Sequence, residues 1–272
     1  MTMTTPARPA VLLSRSSSAA IALASAVGLV AFAWPLVAAP DSAAVAHATD
    51  APVLFALVVP LLLLVVLAQV GDGGMDAKSI AMLGVLAAVI SALRPLGGGT
   101  AGLEPIWVVL ILGGRALGPG FGFCLGAISL FASALLTGGV GPWLPFQMLG
   151  AAWVGLGAGL LPPATGRREL WVLSAYGAVA CVAYGFLLNL WFWPFTSGLP
   201  EQLSFAAGGP AGENLLSWLR FCVVTSLGYD IPRAILTVVL ILVAGRPILI
   251  ALRRMSRKAA FGAPVTFAPA ER

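Results

Sequence analysis

Charge is the scarcest property of this sequence. Only 9% of its 272 residues are Asp, Glu, Lys or Arg, against about 25% in ordinary soluble domains. So few charges cannot cover the surface of a water-soluble fold, which excludes a conventional cytosolic enzyme with a solvated cleft. The 60% share of hydrophobic residues excludes intrinsic disorder, which needs low hydrophobicity and high charge. Histidine occurs once, as His47, and cysteine three times, as Cys124, Cys181 and Cys222. No HExxH site, paired Cys/His zinc site or two-His metal centre can be assembled from these. The thiols fall in or beside apolar stretches and read as small buried hydrophobes rather than a disulfide framework. Neither lysine, Lys78 or Lys258, follows a glycine as GxxxxGK[ST] requires, so the chain has no P-loop. GxSxG is missing as well, and His47 has no matched partner. The apolar stretches offer almost no carboxylates away from their ends for intramembrane acid–base chemistry. No catalytic residue, metal or cofactor is expected.

Long hydrophobic runs are what the sequence has instead. A spanning helix needs about 20 mostly apolar residues. Eight segments qualify or nearly so: 18–39, 52–70, 77–93, 105–117, 119–137, 145–161, 170–194 and 230–250. Pro, Gly or charge bounds each one, and 105–117 is the shortest and contains Arg115. The runs are continuous rather than alternating, which speaks for helices over a barrel. The expected fold class is all-α, a polytopic transmembrane helical bundle in the cell inner or plasma membrane.

Threading eight spans from an inner N-terminus puts Arg8, Arg15, Lys78, Arg115, Arg167, Arg168, Arg246, Arg253, Arg254, Arg257, Lys258 and Arg272 on the inner side. Only Arg94, Arg220 and Arg233 fall outside, a split of 12 to 3 among the 15 basic residues. Bases concentrate on the cytoplasmic side of membrane proteins, so both termini are expected there. The same clustering accounts for the net charge of +5 without nucleic acid as a partner. Arg15, the Ala-rich run and Val37-Ala38-Ala39 also fit a signal peptide, whose removal would leave the remaining topology unchanged. Residues 195–229 combine a Gly/Pro-rich loop with a stretch of helical period too polar at its ends to span, expected as a re-entrant or surface helix. Loops 94–104, 138–144 and 195–229 are thus the elaborate ones, and all lie outside.

Several local patterns carry functional readings. Gly97 to Gly102 matches GxGxxG, but it follows an apolar helix and runs into Glu104-Pro105. A dinucleotide turn needs a preceding strand and a following helix, so a Gly-rich outer loop explains the pattern better. Gly84, Ala88 and Ala92 line one face of 77–93, where small residues let helices approach closely. That face packs either within the chain or against another membrane subunit. The charges Arg94, Glu104, Asp230 and Arg233 sit near outer helix ends, and intramembrane charge is costly enough to mark function. Asp230 also suits a helix N-terminus and local pairing with Arg233. Gln147 and Asn189 lie inside spans and need hydrogen-bond partners. Trp107, Trp143, Phe146, Trp191, Trp193, Trp218 and Tyr229 gather at the same level, as an interfacial belt or as stacking surfaces for a flat ligand.

Taken in order, these stretches resemble the substrate-binding (S) components of energy-coupling factor (ECF) vitamin transporters. The resemblance rests on Ser91-Ala-Leu-Arg-Pro-Leu-Gly97, Glu104-Pro-Ile-Trp107 through Gly118-Pro119, Gly126-Ala-Ile-Ser-Leu-Phe-Ala-Ser133, Gly141-Pro-Trp-Leu-Pro-Phe-Gln-Met-Leu-Gly150 and Asp230-Ile-Pro-Arg-Ala234. It implies a six-helix core over 75–258, preceded by an extension of two helices in 1–74 and followed by a cytoplasmic tail, 259–272. It also implies docking of Gly84, Ala88 and Ala92 on a transmembrane coupling (T) subunit, with energy from two ATP-binding cassette ATPases. A small vitamin or related micronutrient would bind under the outer loops and be released inside as the subunit topples in the bilayer. Carried onto this chain, the binding candidates are Arg94, Glu104, Trp107, Trp143, Gln147, Asn189, Trp193 and Asp230. A flat vitamin such as riboflavin or thiamine and a cobamide both suit an aromatic pocket with one acid and one base. The alternative from another class is an integral-membrane enzyme acting on a lipid or isoprenoid, which would need an acidic pair at an interface.

Overall fold

Apolar runs punctuated by Pro and Gly fold here as helices joined by tight turns. The computed structural model describes residues 13–37, 62, 64–68, 75–97 and 102–259, and among these there is no strand. The helices are α1 (Arg15–Val37), α2 (Ala77–Leu93), α3 (Ile106–Leu117), α4 (Pro119–Thr137), α5 (Leu144–Leu160), α6 (Gly166–Phe192), α7 (Ala211–Phe221) and α8 (Leu227–Ala259). Their ends follow local chemistry. Asp76 caps α2, its Oδ1 accepting the Ser79 amide at 2.8 Å and the Ser79 hydroxyl at 2.7 Å. Gly118, at φ 115°, turns the chain from α3 into α4 in one residue, and Pro119 follows at the first position of α4.

Five helical stretches are long and apolar enough to cross a bilayer: Arg15–Leu36, Ala77–Gly97, Pro119–Thr137, Gly166–Phe195 and Ala211–Arg257. The architecture is the expected all-α polytopic bundle. The apolar runs expected at 77–93, 105–117, 119–137, 145–161 and 170–194 appear as α2 to α6, within a few residues. At 12 residues, α3 is only about 18 Å long, short of a hydrocarbon core of about 30 Å. It is instead the central helix, with ten of its twelve residues buried against α4, α5 and α8.

The end of the chain corrects an expectation. The stretch expected as a separate re-entrant or surface helix runs unbroken into the last span. A π-helical turn, Cys222–Ser226, joins α7 to α8, and at that turn the Thr225 hydroxyl donates to the Phe221 carbonyl at 2.7 Å. A π turn admits an extra residue without ending the helix, so the polar residues read as a boundary are a local rewinding.

Small residues bring the core helices together. The Gly155 carbonyl on α5 fills the space that a Cβ on Gly114 of α3 or Gly122 of α4 would need. Close backbone approach of this kind drives helix association where lipid removes the hydrophobic incentive. The first expected span is α1, packed along α5, α6 and α7. Phe32 meets the Phe146 ring edge-on at 4.9 Å, Trp153 Nε1 donates to Ser25 Oγ at 2.9 Å, and Gly28 lies against Leu149. Of the second expected span, 52–70, only residues 62 and 64–68 are described; they are helical, with Leu62 and Val65 buried. The rest of that span, His47, residues 98–101 of the Gly-rich loop and the tail beyond Ala259 lie outside the described residues.

Candidate functional site

The end of α2, the residues just before α3, the start of α5 and the first turns of α8 meet at a single pole. Two polar networks lie there, the first part-buried and the second anchored on the buried Asp230 and Arg233. In the first, Arg94 at the end of α2 reaches across to α4 and α5: Nη2 donates to Gln147 Oε1 at 2.7 Å and Nη1 to Ser133 Oγ at 3.1 Å. Both sequence candidates, Arg94 and Gln147, are therefore direct partners tying three helices.

The second network centres on Arg233 of α8. Its Nη1 donates to Asp230 Oδ1 at 2.7 Å, one turn earlier on the same helix face, and its Nε to Glu104 Oε2 at 3.1 Å. Glu104 Oε2 also accepts Trp107 Nε1 at 2.8 Å, and Asp230 Oδ2 accepts the Ser226 hydroxyl at 2.6 Å. Asp230 is 1% exposed. Its carboxylate lies where a side chain at Gly185 of α6 would stand, so that glycine is what lets α6 and α8 close over the charge. The guanidinium lies 5.9 Å from the Trp107 ring centroid and 5.6 Å from that of Tyr184, and these two rings are 4.4 Å apart. Cation–π attraction adds to the ion pairs in such a setting. Two carboxylates against one guanidinium leave this network one formal negative charge in excess.

A cleft of about 470 Å³ opens beside it, bounded by the ends of α6 and α8 and the loop after α6. Its lining includes Asn189, Phe192, Thr196, Ser226, Asp230 and Arg233. The volume falls in the range of small-molecule pockets. Of the sequence candidates, Asn189 and Asp230 line the cleft itself, and Glu104 and Trp107 join it through Arg233. Asn189 Nδ2 contacts Cys222 Sγ at 3.4 Å, at the π turn. Arg94 and Gln147 form the neighbouring network.

Two tryptophans stand apart from the cleft. Trp193 is fully buried, donates to the Leu203 carbonyl at 2.6 Å and packs edge-on against Phe205 at 5.3 Å. Trp191 stacks between Phe146 at 5.4 Å and Phe195 at 5.6 Å. These rings, with Trp34 of α1 near Phe195 and Phe205, form an aromatic cluster within the protein. Trp143 is 40% exposed and donates to the Gly139 carbonyl at 3.2 Å, closing its own loop.

Some residues at the site carried no usable signal. Tyr184 sits amid an apolar helix, and its place under Arg233 depends on tertiary contact alone. Thr196, Thr225 and Ser226 belong to the segment whose helical continuation was not expected. The i,i+4 spacing of Ser226 and Asp230 was the one available clue. At α2, the face bearing Gly84, Ala88 and Ala92 is exposed, together with Val85 and Val89. A Cβ at Gly84 would meet nothing within 4 Å.

Residues 78–245 match the family model described as the substrate-specific component of ECF transporters. No curated protein and no solved structure matches the chain.

Proposed function

The chain belongs to the family of substrate-specific components of ECF transporters, and from that membership we propose that it captures a small, flat, vitamin-like compound in the cleft between α6 and α8. It is a multi-pass membrane protein of a family of transporter components rather than enzymes. The observation that carries the reading is the buried Asp230–Arg233 pair that lines the cleft, with Glu104 held against it through Arg233. Burying charge in a membrane protein is expensive and marks functional positions. The excess negative charge favours a ligand that brings a cation or several hydrogen-bond donors, which Asp230 and Asn189 would receive while Phe192 supplies apolar contact. A cleft of about 470 Å³ suits a thiamine- or riboflavin-sized compound better than a bulky cobamide. Arg94 and Gln147 would hold α2, α4 and α5 in register beside the site.

The exposed α2 face supports docking on a T subunit, Gly84, Ala88 and Ala92 allowing close approach. Two ATPases on the inner side would power release by toppling. The lipid- or isoprenoid-enzyme alternative needs a carboxylate pair free to handle protons, and both acids here are engaged by Arg233.

Quenching of tryptophan fluorescence in the purified protein, read across a panel of thiamine, riboflavin and cobalamin, tests the binding role. One member is expected to bind saturably, and Asp230→Asn to weaken it about tenfold or more. Silence across the panel would refute the assignment of substrate class. For the docking face, Ala88→Trp or Ala92→Trp should abolish ATPase-dependent uptake while leaving ligand quenching intact; uptake that persists would show the face to be elsewhere.

A further inference from the structure

A second cleft, of about 510 Å³, lies at the opposite pole and plays no part in the reading above. The end of α3, the α5–α6 connection, the start of α6 and the C-terminal half of α8 enclose it. Four arginines line it, Arg115, Arg246, Arg253 and Arg257, with one acid, Glu169. Four positive charges less one negative leave a formal excess of three.

The distribution of partners sharpens that imbalance. Glu169 is 3% exposed and is clasped from two sides. Arg115 Nε reaches Oε1 at 2.7 Å, and Arg253 holds both oxygens, at 2.5 Å and 3.0 Å. The rim carbonyls are also taken, because Arg115 donates to those of Leu161, Pro162 and Ala164 at 2.9–3.5 Å. Arg246 and Arg257 form no ion pair among the described residues. The first residue of α6, a helix of 27 residues, faces the same space, and its N-cap Thr165 makes no side-chain capping bond. Donors therefore converge on the cleft while its acceptors are consumed, the arrangement that binds phosphate oxygens. One wall is apolar and continuous with the outer surface of the bundle: Leu249 is buried beneath it, and Ile250 is 55% exposed. A ligand matched to this shape carries a phosphate on an acyl body.

We propose that this cleft is a binding site for a phosphate-bearing anion, filled by the headgroup of an acidic phospholipid. Arg246 and Arg257 contact the phosphate, while the Arg115–Glu169–Arg253 cluster holds the walls. Basic pockets between helices at a membrane surface recognise headgroups in this way, each cation contributing to the attraction.

Native mass spectrometry of the full-length protein tests this, with phosphatidylglycerol, phosphatidylcholine and inorganic phosphate as probes. Phosphatidylglycerol is expected to remain bound in preference to phosphatidylcholine, and Arg246→Gln/Arg257→Gln to weaken it roughly tenfold or more. Both residues are exposed and outside the Glu169 cluster, so the variant should keep its melting temperature, and Arg246→Lys/Arg257→Lys should recover most of the binding. If phosphate alone stabilises the protein in an arginine-dependent way and phosphatidylglycerol shows no preference, the site stands with free phosphate as its ligand. Retention of phosphatidylglycerol equal to that of phosphatidylcholine, with no phosphate effect, overturns the proposal. So does retention unchanged in the Gln variant.

Discussion

At the scale of single residues, the scarce charges divide into those that close a structure and those that face a cleft. Glu169 belongs to the first kind. It is the only acid lining the cleft at its pole, and two guanidiniums depend on it. Glu169→Gln leaves Arg115 and Arg253 confined without an anion, and breaking a buried pair from one side costs about 3–5 kcal/mol. A large drop in thermal stability is expected. Arg254→Gln, an exposed change one residue from Arg253, should stay within about 0.5 kcal/mol of the parent. Thermal unfolding of the two variants in the same detergent checks the contrast, and equal effects would contradict the assigned role of Glu169. Asp230 has both characters, since it pairs with Arg233 and lines the cleft. Its removal is therefore best read by ligand affinity and melting temperature together.

At the scale of elements, glycine decides which helices become neighbours. The Gly155 carbonyl sits in the notch formed by Gly114 and Gly122, so a methyl group there meets backbone that cannot rotate away. Gly122→Ala is expected to cost about 1–3 kcal/mol through overpacking. Gly84→Ala, on the open face of α2, should be neutral or slightly stabilising because alanine favours helix. Thermal unfolding separates these outcomes, and a tolerated Gly122→Ala would show that α3, α4 and α5 pack less closely than described. The same residue type thus serves two ends, a backbone contact inside the bundle and an unfilled surface on α2. The second is the one open to a partner.

At the scale of the molecule, α1 is the departure from a family core that the model matches over 78–245. Its contacts are specific: Phe32 on Phe146, Ser25 under Trp153 and Gly28 on Leu149. A helix seated this way is expected to stay with the mature protein. The intact mass of protein extracted from membranes should include residues 1–39, whereas a mature N-terminus near residue 40 would identify a cleaved signal peptide. The molecule also has two chemically distinct poles, one with excess acid beside an aromatic-rimmed cleft and one with excess arginine.

Composition and periodicity alone determined that this chain is a helical membrane bundle. With 9% charge the chain belongs in lipid, where only helices and closed barrels satisfy the backbone, and continuous rather than alternating apolar runs select helices. The same local signals located helix ends, because Asp76, Gly118 and Gly138 act within one turn of themselves. They also singled out Arg94, Glu104, Gln147, Asn189 and Asp230, since a polar group within or at the end of an apolar run must find a partner. Which partner it finds lies beyond local sequence. Arg233 joins Glu104 across 129 positions and Arg94 joins Gln147 across 53, pairings set only when α2, α3, α5 and α8 pack. Tertiary structure likewise turned Trp193 inward and made the shortest apolar run the centre of the bundle. Each of those outcomes depends on contacts between distant segments, which no window of neighbouring residues contains.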